Sequence, residues 1–347
     1  MYRCLELALL GAGRVAPNPM VGSVLVYTDA DTGVGRIIGE GYHERYGEKH
    51  AEANCIASVR GADLPLIAQS TLYVSLEPCA HYGKQPPCAD LIVEKRIPRV
   101  VAGCRDPFPQ VDGKGIEKLR AAGVEVEVGV LEAECVALNE RFFTFHTKHR
   151  PYIVLKWAQS ADGKIAGVAG SGRMLISNEY SNRLVHKWRS EEAAILVGSG
   201  TAMADDPALT VRLWNGANPI RLVIDRELRL PSTLRLFDAS VRTIVFNERR
   251  QEEGGAVEYY RLSQDGSLVN QISAALVRLK IQSVLVEGGA RLLGSFGADG
   301  MWDEARVITN PAMRIGDGVQ APGLKDARLV RTEMLEGDEV RYYRHEK

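Results

Sequence analysis

The sequence predicts two α/β domains in tandem. Three observations carry that expectation: a length of 347 residues, strand-like and helix-like segments that alternate from end to end, and a change of composition near residue 140. Single hydrophobic cores stop growing at roughly 250–300 residues, so a chain of this length divides. A hydrophobic fraction of 45% and a charged fraction of 25% are those of a soluble globular protein.

The opening residues carry Leu5, Leu9 and Leu10 at helical spacing and stop at Gly11. Val21–Val26 is a short apolar run with strand character, and 36–41 is its candidate partner. Helical patterning resumes over 50–58. Thr71–Ser75 reads as a buried strand, 89–95 as a helix, 99–104 as a strand, 116–121 as a helix and 124–130 as a strand. Over 141–150 the sequence changes to Arg-Phe-Phe-Thr-Phe-His-Thr-Lys-His-Arg, followed by Pro151. The domain boundary is expected there, giving domains 1–148 and 149–347. A second alternating series follows, with strands over 152–157, 193–197, 220–224, 243–246, 283–287 and 304–308. Helices are expected over 181–189 and 271–280.

A net charge of −1 supplies no overall basic field for nucleic acid or an anionic membrane, and only 141–150 is locally basic. Phosphate contacts must be local. The apolar start is short and interrupted by Glu6, unlike a signal peptide or membrane span, so a cytoplasmic address is expected. In a reducing compartment the six cysteines are metal ligands, catalytic groups or buried apolar residues.

His50-Ala51-Glu52 opens a helical run, Pro78-Cys79 follows a strand, and Cys88 begins the next helix. One histidine and two cysteines make a three-ligand site for Zn2+ and leave the fourth tetrahedral position to water. Glu52, two residues from a ligand, can act as general acid and base without binding the metal. Both cysteines are expected near helix starts, where partial positive charge favours the thiolate. Taken singly, Cys79 and Cys88 read as buried thiols and His50 as a surface residue; together they read as a hydrolytic deaminase site. A closed structural zinc site would need a fourth ligand, with Cys55, His43 and His81 the nearest candidates.

Leu76-Glu77-Pro78-Cys79-Ala80-His81-Tyr82-Gly83-Lys84-Gln85-Pro86-Pro87-Cys88 resembles the bacterial bifunctional riboflavin-biosynthesis deaminase/reductase family. So do Ala16–Gly22, Gly39–His43 and Asp106–Ile116. The resemblance covers nearly the whole chain, and the long insert between Cys79 and Cys88 is specific to the family. It implies a cytidine-deaminase-like three-layer α/β/α domain followed by a dihydrofolate-reductase-like α/β domain that uses NADPH. Asn18, His43, His81, Lys84 and Asp106 would contact a phosphorylated pyrimidine substrate. One departure stands out: the family usually has asparagine where this chain has Phe108.

As a nicotinamide fingerprint, Gly11–Ala16 of the first domain matches Gly-x-Gly-x-x-Ala but follows a helical run and precedes prolines, so it is set aside. Glycine turns at 198–200 and 288–289 each follow a strand and could let backbone N–H groups approach a pyrophosphate, though such turns are also ordinary connectors. The resemblance assigns Ala158, Thr201, Asp205 and the run Gly289, Ala290, Arg291, Leu292, Leu293, Gly294 and Ser295 to the dinucleotide. It assigns Arg189, Leu209, Arg212 and Glu287 to the substrate, the two arginines as phosphate clamps. Lys156, at the end of the first strand of this half, is expected to contact substrate and help deliver a proton. The family commonly has serine and tryptophan where Gly172 and Met174 stand. The expected function is therefore deamination of a diaminohydroxyphosphoribosylaminopyrimidine, then NADPH-dependent reduction of its ribosyl group to ribityl. The alternatives are a deaminase joined to an inactive reductase-like domain and a deaminase acting on an RNA base. A homodimer or homotetramer is expected.

Overall fold

The structure, a computed structural model, describes residues 1–83, 85–168, 170, 172 and 174–346. The chain forms two compact units, Met1–His149 and Arg150–Lys347.

The first unit runs α1 (Tyr2–Leu9), β1 (Gly22–Thr28), β2 (Gly35–Tyr42), α2 (Ala51–Ser58), β3 (Ser70–Val74), α3 (Cys88–Glu94), β4 (Arg99–Ala102), α4 (Lys114–Ala121), β5 (Glu125–Val128), α5 (Glu132–Leu138) and α6 (Glu140–Lys148). Its sheet has the order β2-β1-β3-β4-β5. The β1 strand is antiparallel to β2 and β3, whereas β3, β4 and β5 are parallel. Alternate side chains leave opposite faces of a strand. Leu25 accordingly packs with Cys55, Ile92 and Leu119 of α2, α3 and α4. Val24 packs with Cys4 and Leu7 of α1 on the other face. The result is three layers. The aromatic-rich run 141–150, expected at the boundary, is mostly helix: α6 buries Phe142 and Thr144.

The second unit runs β6 (Tyr152–Ser160), β7 (Lys164–Gly167), α7 (Glu179–Glu191), β8 (Ala194–Gly198), α8 (Ser199–Asp205), β9 (Ile220–Ile224), β10 (Thr243–Asn247), β11 (Val257–Arg261), α9 (Leu268–Arg278), β12 (Ser283–Val286), α10 (Ala290–Ala298), β13 (Glu304–Asn310), β14 (Gly318–Gln320), β15 (Ala327–Leu335) and β16 (Asp338–His345). Its nine-stranded sheet has the order β11-β10-β9-β8-β12-β6-β13-β16-β15. Strands from β11 to β13 are parallel, and the β15–β16 hairpin closes the edge antiparallel. Ile153 and Leu155 face the core beside α9 and α10, while Tyr152 and Val154 face Val185 and Trp188 of α7. Parallel strands bring their carboxyl ends to one side, where ligands bind in such sheets. Among the described residues, no helix is long and apolar enough to cross a membrane.

Candidate functional sites

In the first unit, three segments meet. His50 is the N-cap of α2, Cys79 lies in the loop after β3, and Cys88 is the first residue of α3. The His50 Nδ1 is 3.5 Å from each sulfur. Donors at ordinary zinc distances, tetrahedrally placed, lie about 3.6 Å apart for nitrogen and sulfur. The trio therefore fits a zinc ion. Among the described residues no fourth histidine, cysteine or carboxylate joins the cluster, which leaves the expected alternative of a closed structural site without its ligand. Cys55 is buried with its thiol pushed up to about 12 by desolvation.

Only Cys88 stands at a helix start, contrary to the expectation for both cysteines. Cys79 gains the same environment indirectly, because its sulfur accepts the Cys88 backbone N–H at 3.3 Å. The Cys79 carbonyl also accepts the Ala89 N–H at 3.1 Å, so the loop between the cysteines returns to its starting point. The hydrogen bond shared with Cys88, together with those from His50 and the backbone, pulls the Cys79 thiol well below its ordinary value. Glu52 sits in the first turn of α2 and is 3% exposed. Burial, reinforced by the Cys79 charge, pushes its carboxyl up to about 7.

Asn18 and His43 come together: the Asn18 amide is 3.1 Å from His43 Nε2. The His43 Nδ1 meets the Lys49 carbonyl at 3.0 Å, and its ring stands edge-on to His50. Asp106 is buried, its carboxyl pushed up to about 7 by desolvation, while its Oδ1 accepts the Phe108 N–H at 2.8 Å. Phe108 packs edge-on against His81 and against His146 of α6. The His81 Nδ1 is buried with no hydrogen-bond partner among the described residues. Lys84 lies outside the described residues. His146 was not anticipated from sequence, where it is one of seven histidines with no distinguishing spacing.

In the second unit a cleft of about 1530 Å³ opens at the carboxyl ends of the parallel strands. That exceeds the roughly 300–1,000 Å³ of ordinary small-molecule sites, so it can hold a dinucleotide beside a second ligand. Lys156, Ala158, Arg189, Thr201, Asp205, Leu209, Arg212, Glu287, Gly289, Ala290, Arg291, Leu292, Leu293 and Ser295 all line it. Gly294 lies within α10 and is not part of the lining. Two turns form the cradle. The Thr201 hydroxyl of α8 accepts the Gly289 N–H at 2.8 Å. A Cβ on Gly288 would lie 2.8 Å from the Gly198 nitrogen, so only glycine lets the turns after β8 and β12 touch. Gly11–Ala16, by contrast, forms a turn after α1.

Arg189, expected as a phosphate clamp, lines the cleft beside Glu287. Its guanidinium is committed to Glu287 in a bidentate pair at 2.9 and 2.7 Å, with a further bond to the Thr210 carbonyl. Burial raises the Glu287 carboxyl, but Arg189 and Lys156 outweigh it and hold the group at about 2. Burial lowers the Lys156 ammonium against the opposing pull of Glu287. The Arg212 side chain bonds the Thr210 hydroxyl at 2.7 Å, and its backbone N–H donates to His186 Nδ1 at 2.9 Å. Burial, with Arg189 and Arg212 nearby, pulls the His186 imidazole down to about 4. His186 also lines the cleft, and sequence gave no sign of it beyond a place on an amphipathic helix.

Residues 1–104 match the cytidine and deoxycytidylate deaminase zinc-binding region, and 151–338 match the RibD C-terminal domain. Riboflavin biosynthesis protein RibD of Aquifex aeolicus is 40% identical over 92% of this chain and 88% of its own. That of Escherichia coli is 34% identical over 99% and 95%. The chain belongs to the RibD family of riboflavin-biosynthesis enzymes. A Thermotoga maritima crystal structure described as a diaminohydroxyphosphoribosylaminopyrimidine deaminase/5-amino-6-(5-phosphoribosylamino)uracil reductase superposes with a TM-score of 0.86. It shares 38% identity over 99% of this chain and 97% of that one. Acinetobacter baumannii RibD superposes with a TM-score of 0.87 at 31% identity, over 100% of this chain and 98% of that one.

As a member of the family the chain is a bifunctional enzyme, a zinc-dependent deaminase joined to an NADPH-dependent reductase. Its fold pairs a cytidine-deaminase-like domain with the family's reductase domain. The matches span both halves and lend nothing to the alternative of an inactive reductase-like domain.

Proposed function

We propose that domain 1–148 removes the ring amine of diaminohydroxyphosphoribosylaminopyrimidine, and that domain 149–347 then reduces the ribosyl group of the product to ribityl. The observation that supports this reading best is the meeting of three zinc-type donors around a buried glutamate, in a chain with a second, dinucleotide-sized cleft. His50, Cys79 and Cys88 hold the zinc, which supplies Lewis acidity and lowers the pKa of water to roughly 7. Glu52 takes the proton of the attacking water and returns it to the departing amine, releasing ammonia. Asn18, His43, His81, Lys84 and Asp106 hold the substrate.

Ala158, Thr201, Asp205, Gly289, Ala290, Arg291, Leu292, Leu293 and Ser295 would hold NADPH, which would supply the hydride. Lys156, whose buried ammonium gives up its proton more readily than a solvated one, donates to the ring oxygen as the ribose opens. Arg212 and Leu209 contact the substrate, and the Arg189–Glu287 pair forms the floor beneath it. The enzyme works in the cytoplasm, as a homodimer or homotetramer, without nucleic acid.

The decisive experiment is Glu52→Gln in the full chain. Ammonia release should fall by about 10²–10⁴-fold with stoichiometric zinc retained, while NADPH oxidation on supplied deaminated substrate continues. Substantial residual deamination contradicts the role of Glu52, and absence of NADPH turnover in the wild type contradicts the second site.

A further inference from the structure

Glu77 takes no part in the roles above, yet its carboxylate is 4% exposed and fully engaged. Its Oε2 accepts the backbone N–H groups of Asp106 at 3.3 Å and Gly113 at 3.0 Å. Its Oε1 accepts those of Gly115 at 3.0 Å and Ile116 at 3.2 Å. The backbone N–H of Glu77 donates to the Cys104 carbonyl, pinning the residue to the end of β4. One side chain thus gathers both ends of the 106–116 segment and the first turn of α4. A second contact works from the other side. A Cβ on Gly115 would lie 1.9 Å from the Pro78 carbonyl oxygen, so α4 sits flush against the residue before Cys79.

We propose that Glu77 is a positioning residue of the deaminase site. Its carboxylate sets Asp106 and Phe108 in place against the corner that carries Cys79. The proposal rests on the assignment of Cys79 to the metal and Asp106 to the substrate. A carboxylate suits the task because an ionised acid is acceptor-only, with two oxygens for four donors. Glutamine fails whichever way its amide turns: its NH2 faces either Asp106 and Gly113 or Gly115 and Ile116, donor against donor. Half of the clamp opens, and the segment bearing Asp106 shifts. Misplacement by about 1 Å can cost on the order of 10²-fold in rate.

The test is Glu77→Gln in the full-length protein. Zinc per chain, thermal denaturation, and kcat and KM for ammonia release are measured, with NADPH oxidation on supplied deaminated substrate as internal reference. The expected result is one zinc per chain, unchanged reductase turnover and a KM for deamination raised at least about tenfold. A merely structural role gives a different signature. Loss of folded molecules lowers apparent kcat in proportion and leaves KM where it was. A KM within twofold of wild type at full zinc overturns the proposal.

Gly115→Ala disturbs the same corner by steric contact and should raise KM in the same direction. It decides the matter if Glu77→Gln does not accumulate, and an unchanged KM there is equally fatal. Failure of the underlying site assignment is distinguishable. In that case the wild type carries no stoichiometric zinc, or Glu52→Gln stays active, whatever happens at position 77.

Discussion

The two halves hold their reactive groups by opposite means. In the first, side chains from the start of α2, the loop after β3 and the start of α3 converge within a few ångströms. In the second, the cradle is largely backbone: turns after β8 and β12 touch through Gly288, and Lys156 of β6, Arg189 of α7 and Glu287 just after β12 meet beneath them. The difference teaches where substitutions should bite. A converging site depends on the identity of a few side chains. A cradle depends on how strands end, and its sensitive side chains are those that hold its floor together.

Breaking that floor should have the largest effect. Arg189→Ala removes the bidentate partner of the buried Glu287 carboxylate and leaves it only the Lys156 ammonium, with side-chain exposures of 12% and 8% for the native pair. Removing one partner of such a pair costs about 3–5 kcal/mol. Denaturant titration should show a loss of this size, and a double replacement of Arg189 and Glu287 by methionine should lose less. Equal losses would mean the pair is not coupled, and the contrast between the two halves would weaken.

Acid should act next, in two windows. His186 titrates at about 4 in the folded chain, below the usual imidazole value. The unfolded chain therefore takes up the proton first, and the stability of the second unit, which lacks the raised carboxyls of Glu52 and Asp106, falls by about 3 kcal/mol as pH drops from roughly 6.5 to 4. Glu287, held at about 2, contributes stability that is lost lower still, as pH falls from roughly 4.5 toward 2. His186→Gln should flatten the upper window and leave the lower one. An unchanged stability profile between pH 6.5 and 4 would remove His186 from the account.

The smallest effect is expected at the junction of the two turns. Thr201→Val deletes the hydroxyl that accepts the Gly289 N–H. A net hydrogen bond is worth about 0.5–1.5 kcal/mol, so the dissociation constant for NADPH should rise roughly 2–10-fold. Fluorescence titration with the dinucleotide reads this directly. No change would mean the turns keep their shape without the link.

The same contrast governs what was legible in the sequence. Metal chemistry requires histidine and cysteine at set places, and the structure brings His50, Cys79 and Cys88 together. Strands buried on both faces, such as β8 and the Val284–Val286 stretch of β12, announce themselves as continuous apolar runs. The β15 strand could not, because every residue from Arg328 to Thr332 is exposed and no buried face imposes a period. The glycine turns at 198–200 and 288–289 were visible, but only family resemblance favoured a dinucleotide there, since a glycine after a strand is compatible with any connection. Glu77 stood within a quoted motif, but its partners are backbone N–H groups 29 to 39 residues away, which no side-chain pattern records. The Arg189–Glu287 pairing spans 98 residues, and neither member alone distinguishes a clamp from an ion pair.

The excursion from Cys79 to Cys88 closes on itself. Its last N–H groups bond the sulfur and carbonyl of the residue where it began. A loop whose ends are clasped in this way behaves as a removable module on a fixed frame. Its length and sequence can drift through insertion, deletion or grafting while the donor geometry beneath stays put. On the proposed assignment of His81 and Lys84 to the substrate, a chimera exchanging only that loop should change which amine is accepted while zinc binding at His50, Cys79 and Cys88 persists.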